Sequence, residues 1–392
     1  MNWRLRVLSL LILGVFAAFS VYYYRYYIAP KAQGIILFVV PGLSLYNLGL
    51  TEISDSTQPL NATLHSNGVA IVDNNTLQPY TADAVSIMSF VSTGEKGLPN
   101  QMGLDANGVP QDNLLYKAQR AGRTIGIVGT GSVTAPPLAA FYAHVTNANR
   151  TEELAKQVFD STAINVILGG GGDAIASVKS DGGRDLLKEA DLRGYKIVQN
   201  RADLEDVPAW RTRKLLGIFA SQKLPYYDPL ADESGQNPYP SLPDMTRRAI
   251  QCLEFNLNGY FLVVHQGLVA DALRENNIPR VISEIRQLDL ALKEARAYAG
   301  KKTLILLYCP YEVQGLPRGS GQILVTTESE SGRRRASEPA EERHPLVFLG
   351  PFLPEFRSSL GFGWLSVYKQ TGAVVEGFIS PGDLSHFIEQ QL

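Results

Sequence analysis

Asp83, Ala84 and Ser86 open the stretch DAVSIMSFVSTG (Asp83–Gly94), where an acid, a methyl and a hydroxyl stand at the start of a small-residue helical pattern. Seryl-type covalent catalysis needs a hydroxyl at the attacking position, and the methyl of Ala84 cannot supply one. Ser86 lies two positions further along the predicted helix and therefore faces elsewhere. Thr81 is placed to cap that helix rather than to react. His265 follows the apolar run YFLVV and is the natural choice for a general base, though a lone histidine at a strand end also serves structure. The stretch Gly129-Thr130-Gly131-Ser132-Val133-Thr134, with Glu152 beyond it, has part of a dinucleotide-loop pattern. It lacks the third glycine, and Pro136-Pro137 is expected to oppose the helix that would receive a pyrophosphate. Gly169–Gly172 reads as a tight turn. Nucleophile-elbow, Walker and His-Glu-x-x-His patterns are all missing, and five histidines (His65, His144, His265, His344, His386) leave little material for a zinc centre.

These residues need a scaffold, and the pattern supplies one. Short apolar runs at Ile35–Val40, Thr124–Val128, Val166–Leu168, Leu216–Ala220, Tyr260–Val264, Thr303–Leu307 and Leu346–Leu349 read as buried strands. Helical patterns at Leu114–Ala121, Glu152–Phe159, Met245–Phe255 and Ile282–Tyr298 alternate with them, which predicts a largely parallel sheet between two helical layers. The 392 residues are 45% hydrophobic, enough for a large core, and the net charge of -2 argues against a nucleic-acid partner. Cys252 and Cys309 are expected to be buried thiols. Glu328–Arg343, with three consecutive arginines, reads as a solvated loop.

Residues 1–30 form a separate segment. Arg4 and Arg6 precede an apolar run from Val7 to Val21, and Tyr22, Tyr23, Tyr24, Tyr26 and Tyr27 follow. Interfacial tyrosines and leading arginines are what a signal-anchor helix with a cytoplasmic N-terminus requires. A cleaved signal peptide, with Ala18 and Ser20 near the cut, is the competing reading. Either one places residues 31–392 outside the cytoplasm, on the periplasmic side in a bacterium.

Several blocks in one order give the chain a resemblance to the alkaline phosphatase family. They are GIILFVVPG (Gly34–Gly42), the Asp83–Gly94 helix, GLDANGVPQDNLLYKAQRAGRTIGIV (Gly103–Val128), AAFYAHV (Ala139–Val145), NVILGGG (Asn165–Gly171), MTRRAIQCLEFNLNGYFLVV (Met245–Val264), Val281–Leu307 and LVFLGP (Leu346–Pro351). The resemblance implies a doubly wound α/β sheet, frequent homodimers, and a site with two zinc ions and one magnesium. It also implies a nucleophilic serine where this chain has Ala84.

The remaining positions depart in a consistent direction. Pro41 stands at the metal-bridging aspartate, Ala135-Pro136-Pro137 at an Asp/His-Ala-Thr segment, and Ala148 at the phosphate-clamping arginine, with Arg150 two residues on. His265 replaces the magnesium glutamate, Ala270 a zinc aspartate, Arg274 a zinc histidine, and Pro310-Tyr311 an Asp-His pair; the last zinc histidine falls near Pro339. Losing the cations together with four of their carboxylates avoids a cluster of unneutralised like charges. No catalytic residue and no metal or other cofactor is therefore expected. Asp83, His265, Asp271, Arg274 and Tyr311 are the candidates to line a polar pocket left at those positions, unless they have repacked and bonded to one another. The expected protein is a membrane-anchored pseudoenzyme that binds a ligand or partner, through self-association or pairing with an active relative. A phosphomonoesterase with weak or altered activity is the alternative, and an inert envelope scaffold the third.

Overall fold

The computed structural model describes residues 3–23, 32–54, 60, 68–73, 83–160, 163–180, 183–235, 237–300, 302–310, 362–368 and 377–392. Ten strands form one sheet in the order β10-β2-β9-β8-β1-β7-β3-β4-β6-β5. They are β1 (Gly34–Val39), β2 (Gly68–Asp73), β3 (Thr124–Ser132), β4 (Val166–Gly170), β5 (Lys196–Val198), β6 (Leu215–Ala220), β7 (Tyr260–His265), β8 (Thr303–Cys309), β9 (Phe362–Tyr368) and β10 (Gly377–Ile379). The seven from β8 to β5 are parallel, and β9 runs antiparallel to both its neighbours.

Strand periodicity explains why the central runs are apolar throughout. In β1, Ile35, Leu37 and Val39 enter one core, and Ile36 and Phe38, with Val40 just beyond the strand, the other. Both faces are covered, so alternation with polar residues would bury unpartnered groups. Helices Ala84–Thr93, Leu114–Arg120, Thr151–Asp160, Gly172–Ser180, Leu186–Leu192 and Pro381–Gln391 contribute to the first core. Helices Leu45–Ser54, Arg201–Glu205, Leu242–Leu253, Leu268–Arg274 and Ile278–Tyr298 contribute to the second.

Two helices begin about a turn earlier than their apolar periodicity predicts. Ser241 and Asp244 form a reciprocal capping box with Pro243 in the first turn, and Asn277 caps Ile278–Tyr298 with Pro279 likewise placed. Proline is welcome there because it lacks only an N–H that has no helical partner. The same rule corrects the expectation at Pro136-Pro137: a short helix, Pro136–Ala139, starts on the prolines themselves.

The N-terminal segment forms a helix over Trp3–Tyr23, with the successive residues Leu10, Leu11, Ile12 and Leu13 all exposed. Among the described residues no helix is long and apolar enough to cross a membrane. Neither cysteine forms a disulfide and both are buried; burial pushes the Cys252 thiol up to about 11, and Cys309 donates to Leu43 O at 2.6 Å. Leu346–Leu349, Glu328–Arg343, Pro339, Thr81 and Tyr311 lie outside the described residues.

Candidate functional site at the carboxyl ends of the strands

In a doubly wound sheet, ligands collect beyond the carboxyl ends of the strands. The register levels those ends here, pairing Val39 with both His265 and Tyr308, and His265 with Gly129. Val40-Pro41, Thr130-Gly131, Gln266-Gly267 and Cys309-Pro310 therefore emerge side by side. Helix Ala84–Thr93 packs on Pro136–Ala139, which in turn packs on β7.

Asp83 is the N-cap of that first helix. Its Oδ1 accepts from Ser86 N at 2.8 Å, and its Oδ2 accepts from Ser86 Oγ at 2.8 Å and Asn100 N at 3.1 Å. Both carboxylate oxygens are thus occupied, and Ser86, 1% exposed, turns its hydroxyl back to the cap. Ala84 presents only a methyl at the first helical position. Arg150 is exposed and pairs with Glu153 at 3.4 Å, while Ala148 is buried.

His265 is 4% exposed, and among the described residues neither ring nitrogen has a hydrogen-bond partner. Gly131 and Gly267 flank the ring; a Cβ on Gly267 would fall 2.7 Å from its Cε1, so only glycine fits there without movement. Burial lowers the imidazole from its ordinary 6.5 to about 4, with Asp271 pulling weakly the other way. The ring is therefore neutral at pH 7.

The next residue begins a buried polar chain that the sequence did not reveal. Thr130 Oγ1 donates to Gln266 Oε1 at 2.6 Å, and Gln266 Nε2 donates to Glu284 Oε2 at 2.9 Å. Glu284 Oε1 accepts from Tyr227 N at 2.8 Å. The carboxyl is 2% exposed, and burial raises it from 4.5 to about 7, its two hydrogen bonds opposing the rise. Glu284 looks like any polar position of an amphipathic helix until helix Ile278–Tyr298 is laid against the end of β7.

Asp271 lies within electrostatic reach of His265, yet its carboxylate is held by Lys223 at 2.8 Å and Arg274 at 2.9 Å. Arg274 is exposed. Among the described residues no hydrogen bond or ion pair joins Asp83 to His265, Asp271 or Arg274. The structure thus sets Asp271 within electrostatic reach of His265 and commits the Asp83 carboxylate to its helix cap.

A centre of two zinc ions and a magnesium needs several imidazoles and carboxylates converging. Among the described residues no group of three His, Cys, Asp or Glu side chains is so arranged. Proline and alanine fill most of the relevant strand ends, Asp271 is paired with cations, and a guanidinium lies beside it. The described residues do not fit that set of metals. β3 continues through Gly129–Ser132, and a Cβ on Gly170 would meet Gln222 O at 2.2 Å. Gly171, at φ 107°, makes the tight turn expected between β4 and its following helix.

A largely parallel sheet between two helical layers, with its candidate site at the strand ends, defines a doubly wound α/β protein. The family model for alkaline phosphatase matches residues 57–320, and the chain belongs to the alkaline phosphatase family. Alkaline phosphatase 4 of Bacillus subtilis is 28% identical over 245 residues, covering 61% of this chain and 50% of that protein. Alkaline phosphatase H of Pseudomonas aeruginosa is 30% identical over 262 residues, covering 57% and 55%. The chain spans about half the length of the curated relatives it matches. The alkaline phosphatase of the Antarctic bacterium TAB5 superposes with a TM-score of 0.69 at 19% identity, over 92% of this chain and 98% of that one.

Proposed function

We propose that this member of the alkaline phosphatase family works by binding and not by hydrolysis, tethered to the outer face of a cell membrane. One observation carries the reading. Behind the Asp83 cap, where the resemblance puts the attacking serine, stands the methyl of Ala84, and the next hydroxyl along the helix, on Ser86, is committed to Asp83 at 2.8 Å. With a methyl at position 84 and no fitting donor set for the metals among the described residues, we infer that neither half of a two-metal phosphoryl transfer is provided. Asp83, His265, Asp271, Arg274 and Tyr311 would line the pocket that takes a ligand. The protein partner would be a second copy of the chain or an active relative.

Helix Trp3–Tyr23 would hold the protein in the membrane. Its apolar middle is shorter than a full span, so Arg4 and Arg6 would snorkel to one interface and the tyrosines sit at the other. The leading arginines favour a cytoplasmic N-terminus, with residues 31–392 on the opposite, extracytoplasmic side.

The test is metal content by mass spectrometry and phosphatase turnover on one preparation of the full chain supplied with zinc and magnesium. Substoichiometric metal and no turnover above buffer are expected. Two or more tightly held metals with turnover would overturn the reading in favour of a phosphomonoesterase. That alternative has one specific observation on its side, the two unpartnered ring nitrogens of His265.

A further inference from the structure

The amino end of the sheet, opposite the candidate site, carries a concentration of positive charge on a chain whose net charge is -2. A cleft of about 880 Å³ opens there, lined by Lys196, Arg211, Arg213 and Lys214 among others, with Asp203 and Asp206 as its acids. Among the described residues no carboxylate pairs with any of those four cations. Three of them lie against rings instead: Arg211 is 5.9 Å from the Trp210 ring, Arg213 5.5 Å from Phe255, and Lys214 5.4 Å from Tyr195. Lys214 also donates to the Arg193 carbonyl, which leaves its charge unneutralised. Trp210 is 67% exposed and Leu257 82%. Unneutralised cations interleaved with exposed aromatic and aliphatic side chains match an interface that is anionic at its surface and apolar just below.

Topology places this rim on the side where the chain enters the fold. Because the central strands are parallel, their amino ends form one row. Backbone bonds follow it: Gln33 N to Lys302 O, Tyr260 N to Gln33 O, Thr124 N to Gly259 O, Leu215 N to Asn165 O, and Lys196 N to Lys214 O. Arg123 adds bonds to the carbonyls of Ala32 and Gln33, fixing the entry point in that row. From β1 to β5 is five strand spacings, about 24 Å. Between Tyr23 and Ala32 lie eight residues, which reach at most about 28 Å. A helix held in the membrane at Tyr23 therefore keeps the amino end of the sheet within one tether length of the bilayer.

We propose that the rim formed by Lys196, Trp210, Arg211, Arg213, Lys214 and Leu257 docks on the anionic headgroups of the membrane that holds the N-terminal helix. The inference rests on the anchor proposed above and adds an orientation: the amino end of the sheet lies against the bilayer, and the candidate site at the carboxyl ends faces away from it, open to partners. Each cation near an anionic surface adds to the attraction, and salt screens it.

The test uses the full chain in vesicles of phosphatidylcholine, with and without phosphatidylglycerol. An amine-reactive reagent is read by peptide mass spectrometry at Lys196 and Lys214, with exposed Lys223, beyond the carboxyl end of β6, as internal control. Labelling of Lys196 and Lys214, relative to Lys223, should slow several-fold on phosphatidylglycerol vesicles, and high salt should restore it. Equal labelling in both lipids overturns the proposal, and the parent chain alone is enough to show it. In the parent, amide hydrogen exchange over residues 206–214 should also be slower on phosphatidylglycerol vesicles. The combined K196E, R211E, R213E and K214E chain should lose that difference, and its retention counts against the rim. Alkaline carbonate extraction reports the anchor separately: extracted protein refutes the anchor, whereas membrane-retained protein with freely labelled lysines refutes only the docking.

Discussion

Two buried groups near the end of β7 should have opposite effects on stability over nearly the same pH range, and substitution should separate them. His265 is lowered from 6.5 to about 4, so between those values the unfolded chain carries a proton that the folded chain lacks. Its contribution makes stability rise with pH, or equivalently fall as pH drops from 6.5 towards 4. Glu284 is raised from 4.5 to about 7, so in that window the folded chain keeps a proton that the unfolded chain has lost. Its contribution makes stability fall as pH rises through the window. Each shift corresponds to about 3 kcal/mol, and between pH 4.5 and 6.5 the two nearly cancel. His265→Leu should unmask the carboxyl, losing about 3 kcal/mol relative to the parent as pH rises from 4 to 6.5. Glu284→Gln should do the reverse, gaining about 3 kcal/mol relative to the parent between pH 4.5 and 7. Urea unfolding followed by circular dichroism at half-unit pH steps gives the slopes. A constant offset between variant and parent reflects packing or lost hydrogen bonds, so only the slope is diagnostic. Curves that run parallel to the parent for both variants would refute the buried, neutral state of both groups.

Asp83→Ala removes an N-cap that satisfies two backbone N–H groups and the Ser86 hydroxyl, and should cost about 2 kcal/mol in chemical denaturation; an unchanged midpoint would show that the cap is idle. Arg123, 6% exposed, donates to the carbonyls of Ala32, Gln33, Gln391 and Leu392, so Arg123→Met should cost about 3 kcal/mol by removing the charged donor that joins the two segments and stranding the buried Ala32 acceptor. The accompanying rise in hydrogen exchange should be confined to the entry strand and the C-terminal helix. Ala84→Ser restores a hydroxyl but no metal donors, and should leave phosphatase turnover at the buffer level with zinc and magnesium present; measurable turnover would mean that the metal positions are better furnished than the described residues suggest.

Apolar runs and helical periodicity make most of the parallel sheet legible, because a strand covered on both faces must be apolar along its length. The expected strands at Ile35, Thr124, Val166, Leu216, Tyr260 and Thr303 are all present, within one to four residues at their ends. The strands that the pattern does not show, β2, β5, β9 and β10, lie towards the two edges of the sheet, where runs are short and context decides pairing. Helix starts at Leu242, Ile278 and Pro136 escape the apolar pattern because proline reads along a sequence as a stop, whereas here it occupies first turns.

The family, and the methyl at position 84, were fixed by residue identity alone, since both depend on which side chains occur in which order. What those side chains do was decided by the fold. Only packing shows that Asp83 spends its carboxylate on a cap, that Asp271 is neutralised by Lys223 from 48 residues away, and that Glu284 meets Gln266 inside the core. The basic rim likewise has no signature along the chain, because residues 196, 211–214 and 255–257 meet only when the parallel strands align their amino ends. Charge, burial and partnership are properties of surroundings, and a linear order of residues does not contain the surroundings.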